Sequence, residues 1–360
     1  MARIALAGGG TGGHVYPALA IGDVLRGRGH EVVYYGDPER LEGRVAPERG
    51  YVFRPVSAFQ YPRSGGILGK MVFAWRLLRS SWAMRGVLAA DRIDLVLGVG
   101  GYISAPPVLA AWSMRKKSAL HEANVVPGLA NRLCARVVDA VLLSFEDTRN
   151  LPGKAPRHVV GVPVNPKVLS GQRADARERY GLDPARPIVL FVGGSLGAAR
   201  LNELAIACMK RTDRSWQILH ITGPKLYSEV MAQVGTPPAG VCVRDYENQM
   251  GTAYAAADLV VCRAGSATLA ELAALGLPSV LIPSPNVTDD HQTANARALE
   301  SLGAALVLTE TSWDLDASMD AIASLGADAG RLKAMSAAAR TQAKLNAADQ
   351  AADVIEGLLR

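Results

Sequence analysis

The chain has 360 residues, 49% hydrophobic and 20% charged, enough to bury two cores of ordinary domain size, which excludes a disordered protein. A net charge of +6 and a pI near 9.2 favour anionic partners such as nucleotides or acidic lipids. The four cysteines, Cys134, Cys208, Cys242 and Cys262, lack zinc-knuckle or redox-pair spacing and read as buried free thiols of a reducing cytosol.

The N-terminus runs straight into a predicted strand, Arg3–Ala7, with no signal-peptide layout. A glycine run, Gly8–Gly13, separates it from a helical pattern over Val15–Arg28, and a second strand follows at Glu31–Tyr35. Farther on, Leu68, Met71, Val72, Trp75, Leu78 and Trp82 recur at helical spacing, flanked by Lys70, Arg76, Arg79 and Arg85. No acidic residue occurs from Arg49 to Ala90. A basic amphipathic helix with tryptophans suits a lipid interface; the same stripe would also serve as core, and the missing acids favour lipid. No apolar run reaches the ~20 residues of a membrane span, so the expectation is a cytoplasmic chain with peripheral membrane contact.

Strands are predicted at Leu95–Val99, Ser118–His121 and Ala140–Leu143. Gly161–Pro166 is Pro-rich and aperiodic and marks a domain boundary. The second half repeats the rhythm: Ile188–Val192, a glycine loop Gly193–Gly197, a helix over Leu201–Arg211, then Gln217–Ile221, Val241–Arg244, Leu259–Cys262 and Ser279–Ile282. Alternating strands and helices predict an α/β protein of two doubly wound parallel-sheet domains facing a cleft, with ligands at the carboxyl ends of the strands.

A glycine turn between strand and helix offers bare N–H groups beside a helix N-terminus, a site for anions. Gly8, Gly10 and Gly13, with Asp37 after the next strand, also fit a dinucleotide fingerprint, so an oxidoreductase is a rival reading. His14, directly after the loop, is a candidate base for a sugar hydroxyl. Asp314-Leu315-Asp316 has the form of a metal-binding Asp-x-Asp, yet its position before a helical run favours N-capping, and no metal is expected.

Several blocks resemble one family. Gly8–Pro17 is similar to the opening signature of the MurG glycosyltransferases, Gly98–Ser104 to their G-G-Y-x-S stretch, and His121–Arg132 to their HEQN-x-x-x-G-L-x-N segment. Gly193–Ala198 resembles G-G-S-Q-G-A, Cys262–Glu271 resembles C-R-x-G-x-x-T-x-x-E, and Pro283–Ala296 resembles the D-H-Q-x-x-N-A motif. The blocks come in the right order and span nearly the whole chain. Three positions depart: Leu196 and Ala123 each replace a glutamine, and Asn165 stands where relatives carry arginine.

The resemblance implies the GT-B fold, with an acceptor and membrane-associating domain over 1–163, a UDP-GlcNAc domain over 164–344, and a last helix, about 345–360, returning to the first. It implies inverting transfer of N-acetylglucosamine from UDP-GlcNAc to the C4 hydroxyl of a lipid-linked muramyl-pentapeptide, without a cofactor, in peptidoglycan synthesis. His14 and Glu122 are its catalytic candidates. Thr11, Gly12, Gly13, Asn124, Ser195, Gly197, Arg263, Gly265, Ser266, Glu271, His291 and Gln292 would bind the donor, with Glu271 on the ribose. Gly10, Tyr102, Ser104 and Asn131 would bind the acceptor. Leu68, Met71, Trp75, Arg76, Arg79 and Trp82 would meet an anionic membrane at the cytoplasmic face of the inner membrane. Nucleic acid is not among the expected partners; other cell-wall synthesis proteins are. The remaining rivals are a non-catalytic scaffold and a related diacylglycerol glycosyltransferase.

Overall fold

The short apolar runs become strands of two parallel sheets in a computed structural model that describes residues 1–57 and 66–360. Contacts divide the chain into two units, 1–164 with 344–360, and 165–343.

In the first unit the strands are β1 (Arg3–Ala7), β2 (Glu31–Gly36), β3 (Val52–Pro55), β4 (Leu95–Gly98), β5 (Lys117–Glu122), β6 (Ala140–Leu143) and β7 (Arg157–Val159), in the order β3-β2-β1-β4-β5-β6-β7. Its helices are α1 (Gly12–Gly27), α2 (Leu41–Glu48), α3 (Gly66–Ala90), α4 (Ala105–Ser113) and α5 (Leu129–Cys134). The two-residue period of β1 sorts its side chains. Ile4 and Leu6 pack with Val15, Leu19 and Leu25 of α1, while Ala5 and Ala7 share the opposite face with Leu88 of α3 and Val108 of α4.

The second unit holds β8 (Ile188–Val192), β9 (Gln217–Ile221), β10 (Val241–Arg244), β11 (Leu259–Cys262), β12 (Ser279–Leu281) and β13 (Ala305–Val307), in the order β10-β9-β8-β11-β12-β13. Its helices are α6 (Arg173–Arg179), α7 (Ala199–Lys210), α8 (Tyr227–Val234), α9 (Met250–Ala256), α10 (Ser266–Leu275), α11 (His291–Ser301), α12 (Leu315–Ala327) and α13 (Ala329–Thr341). Val189 and Phe191 bury against Leu201 and Leu204 of α7 and Ile322 and Leu325 of α12.

The last helix, α14 (Ala347–Leu359), belongs to the first unit. Ala351, Ala352 and Ile355 join the α1 face of that core. Arg28 binds Asp353 at 2.6 Å, Asp349 at 3.1 Å and Glu356 at 3.2 Å, tying α14 to the end of α1.

Strands β3, β7 and β13 do not stand out in the sequence. Each is an edge strand of three or four residues, so it lacks the fully apolar run of a strand covered on both faces. The stripe helix α3 is longer than the predicted Leu68–Arg85, because Gly86–Ala90 continues into the core through Leu88.

Candidate active site

Each sheet reverses its direction of winding once, between β1 and β4 and between β8 and β11. Loops at such a switch point diverge and leave room for a ligand at the carboxyl ends of the strands. In the first unit the carboxyl ends of β1, β4 and β5 are neighbours; His14 lies in the first turn of α1 after β1, Tyr102 follows β4, and Glu122 ends β5. In the second, the loops after β8, β11 and β12 carry Ser195 and Gly197, then Arg263, Gly265 and Ser266, then His291 and Gln292.

The first glycine loop differs from the sequence reading. Glu42, at the start of α2 and fully buried, accepts hydrogen bonds from Gly10 N at 3.0 Å and Asp37 N at 3.3 Å. A Cβ on Gly9 would lie 1.9 Å from Glu42 Oε1, so only glycine lets the carboxylate in. The inner face of the loop already holds a carboxyl group, which takes the Gly10 N–H that a dinucleotide pyrophosphate would use. Asp37, the presumed ribose ligand of that rival, accepts instead from Glu39 N at 3.0 Å and Arg40 Nε at 3.2 Å within its own turn. Gly10 is thus engaged with Glu42. Thr11, exposed, gives no side-chain cap to α1, whose first residues are Gly12 and Gly13.

His14 sits half-buried in the first turn of α1. Its ring lies on Gly100, where a Cβ would stand 2.8 Å from Nδ1 and Cε1, and Gly100 has φ of +100°. Tyr102 follows, half-buried and edge-on to Phe73 at 6.3 Å between ring centroids. Ser104 is fully buried and its hydroxyl donates to Gly101 O at 2.8 Å. The hydroxyl closes a tight turn.

Glu122 ends β5 and is 2% exposed. Its Oε1 accepts from Asn124 N at 2.9 Å and Nδ2 at 3.2 Å, and its Oε2 from Asn131 Nδ2 at 2.8 Å. Burial pushes its carboxyl up, and the hydrogen bonds from Asn131 and Asn124 pull it back. Asn131, 4% exposed, also donates to His121 O at 3.1 Å. This block is a knot that shapes the loop after β5. Glu122, Asn124 and Asn131 turn toward one another, so the carboxylate proposed as a base is held by the two amides.

In the second unit, Gly197 has φ of +80° and a Cβ there would stand 2.2 Å from Thr222 O, so this tight approach of loop to β9 requires glycine. Ser195 and Leu196 project into solvent. Helices α7 and α10 both begin without a side-chain cap, at Ala198 and Gly265, which leaves their first N–H groups for an anion. Ser266, the first residue of α10, is buried. The Nη1 of Arg263 donates to Ile282 O at 3.1 Å and pairs with Glu310.

Glu271, in the second turn of α10, accepts from the phenol of buried Tyr254 at 3.0 Å through Oε2. Desolvation pushes its carboxyl up to about 7, against the opposing pull of the Tyr254 hydrogen bond. Tyr254, on α9, gave no sequence signal, since nothing in an Ala-rich helix marks its hydroxyl. Gln292 Oε1 accepts from Ser284 N at 2.9 Å and pins the loop after β12. His291 Nδ1 lies 2.8 Å from Thr288 O, which fixes the proton on Nδ1 and leaves Nε2 as an acceptor. Just before it, Asp289 and Asp290 take left-handed φ of +55° and +49°, the kind of strain found at functional loops.

The glycosyltransferase family 28 N-terminal domain model matches residues 4–143, and the C-terminal domain model of that family matches residues 188–353. A Halothermothrix orenii protein named UDP-N-acetylglucosamine–N-acetylmuramyl-(pentapeptide) pyrophosphoryl-undecaprenol N-acetylglucosamine transferase is 36% identical, covering 98% of each chain. A Ralstonia nicotianae protein of the same name is 38% identical over 96% of this chain and 93% of its own. The chain belongs to the MurG family.

The crystal structure of Acinetobacter baumannii MurG is similar over 99% of this chain and all of its own, with a TM-score of 0.81 and 30% identity. The calicheamicin glycosyltransferase CalG4, at 16% identity and a TM-score of 0.73, shares the fold. The MurG-family chain is thus a glycosyltransferase of the GT-B fold. Among the described residues no group of three or more His, Cys, Asp or Glu side chains is placed to hold a metal ion. Asp314 caps α12, accepting from Ala317 N at 3.0 Å.

The stripe on α3 is exposed: Leu68, Met71, Trp75 at 58% and Trp82 at 71% stand in solvent. The guanidinium of Arg79 lies 5.5 Å from the Trp75 ring and that of Arg85 4.4 Å from the Trp82 ring. Trp112 on α4, which packs against α3, is exposed as well and was not singled out by the sequence, because it sits in a segment with no charged neighbour before Arg115. Among the described residues no helix is long and apolar enough to cross a membrane.

Proposed function

We propose that this chain transfers N-acetylglucosamine from UDP-GlcNAc, with inversion, to the C4 hydroxyl of undecaprenyl-diphosphate-linked N-acetylmuramyl-pentapeptide, converting lipid I to lipid II in peptidoglycan synthesis. The observation that carries this reading is near-full-length identity of 36–38% to proteins named for that transfer, combined with two switch-point sites built from the matching motifs.

In this account the acceptor hydroxyl attacks the anomeric carbon from the face opposite UDP. Its proton passes to the His14 imidazole, whose ring rests on Gly100 in the first turn of α1. The anomeric C–O bond breaks as the new one forms, and UDP leaves with the electron pair. The uncapped N-termini of α7 and α10 and the Gly194–Gly197 loop stabilise the charge growing on the diphosphate. Glu271 Oε1, left by Tyr254, accepts from the ribose, and His291 Nε2 and Gln292 bind hydroxyls of the transferred sugar. The Ser195 hydroxyl supports the diphosphate.

The exposed face of α3, with Trp75, Trp82, Arg76 and Arg79, holds the enzyme at the cytoplasmic face of the cell membrane, where a lipid-linked acceptor lies. Its product feeds wall growth, and through it cell shape and division. A thermal-shift panel tests the donor: UDP-GlcNAc stabilises the chain and NAD(P) or FAD does not, whereas the reverse would revive the oxidoreductase reading.

A further inference from the structure

An apolar slot of about 180 Å³ opens in the first unit between α3, α4 and α5. Phe73 and Leu77 of α3 form one wall, Pro106 of α4 and Ala130 and Leu133 of α5 the others, and exposed Arg136 borders it. None of its described lining residues is acidic. Among the described residues a saccharide would find almost no hydrogen-bond partners here, whereas hydrocarbon would meet apolar walls.

We propose that this slot receives the head-proximal end of the polyprenyl chain of the acceptor, an inference that rests on the transferase reading above. Three observations carry it. The slot shares α3 with the exposed apolar face, so hydrocarbon can pass from a lipid surface to Phe73 and Leu77 along one helix. A prenyl diphosphate is apolar at one end and dianionic at the other, and the slot pairs hydrocarbon walls with the Arg136 guanidinium. Arg136 Nη1 donates to Arg132 O at 2.7 Å, which steadies that cation at the end of α5. Finally, Tyr102 closes the slot against Phe73 and stands two residues beyond Gly100, on which His14 rests.

The test compares two acceptors in the same detergent micelles: the muramyl-pentapeptide diphosphate with a long prenyl chain, and the same head group as its methyl diphosphate. Leu133→Trp and Ala130→Leu fill the slot, and a melting curve shows which variant folds; either one suffices. The wild type should prefer the prenyl acceptor in kcat/KM. In the variants that preference should fall at least about tenfold through KM, the effect of roughly two buried methylene groups. Binding to anionic vesicles should stay at the wild-type level. A preference retained by a folded variant would overturn the slot. So would a loss matched by equal loss of vesicle binding, which would assign the chain to the exposed α3 face. If the wild type transfers sugar to neither acceptor, the transferase reading falls and the slot with it.

Discussion

The phenol of Tyr254 donates a 3.0 Å hydrogen bond to Oε2 of Glu271, joining α9 to α10 in the second unit. Burial raises this carboxyl from 4.5 to about 7. A folded-state pKa above the unfolded one means that the apo chain loses stability as pH rises from 4.5 through 7. Ribose hydroxyls bind an ionised carboxylate more strongly than a neutral carboxyl, so donor KM should rise as pH falls below about 7. Glu271→Gln should raise donor KM by about tenfold, the effect of a lost charged hydrogen bond, flatten that pH dependence and raise the apo melting temperature at pH above 7. A pH-independent wild-type KM would remove Glu271 from the ribose.

His14→Ala should lower turnover by ~10²–10⁴-fold, the usual contribution of a positioned base, with little change in donor affinity. Assays at saturating donor and acceptor measure it. Near-normal turnover would make His14 a packing residue on Gly100.

Glu122→Ala should act on stability first. It strands buried donors on Asn124 and Asn131, at about 1–3 kcal/mol for each unsatisfied group, so the melting temperature should drop. Glu122→Gln, which keeps an acceptor, should retain far more turnover than His14→Ala. The opposite ranking would return Glu122 to the role of base.

Replacing Trp75 and Trp82 by Ser, and Arg76 and Arg79 by Gln, should weaken binding to anionic vesicles while leaving melting unchanged. Trp75 and Trp82 are 58% and 71% exposed, so no core is opened. Co-sedimentation reads the first outcome and calorimetry the second. Unchanged vesicle binding would leave the α3 face without a lipid partner.

Much of this architecture was legible beforehand. Fully buried parallel strands such as Ile188–Val192 are continuous apolar runs between glycines and helical periods, and local signals of that kind survive without tertiary context. Edge strands such as Ala305–Val307 carry no such signal. The site was legible as a set of positions, but not as contacts. Residue type cannot say whether a polar group faces a ligand or a neighbour: Ser104, Arg263, Asn131 and Glu122 have partners within the protein, supplied by segments close in space. Glu42 shows the converse. Thirty-two residues after Gly10, it fills a loop that reads in sequence as an open anion site.

The most direct test follows labelled N-acetylglucosamine from UDP-GlcNAc into a lipid-linked muramyl-pentapeptide in the presence of EDTA. The account predicts a lipid-linked disaccharide with one UDP released per sugar transferred, undiminished by the chelator. Label that stays with the nucleotide, appears only as free sugar, or reaches diacylglycerol instead would contradict it.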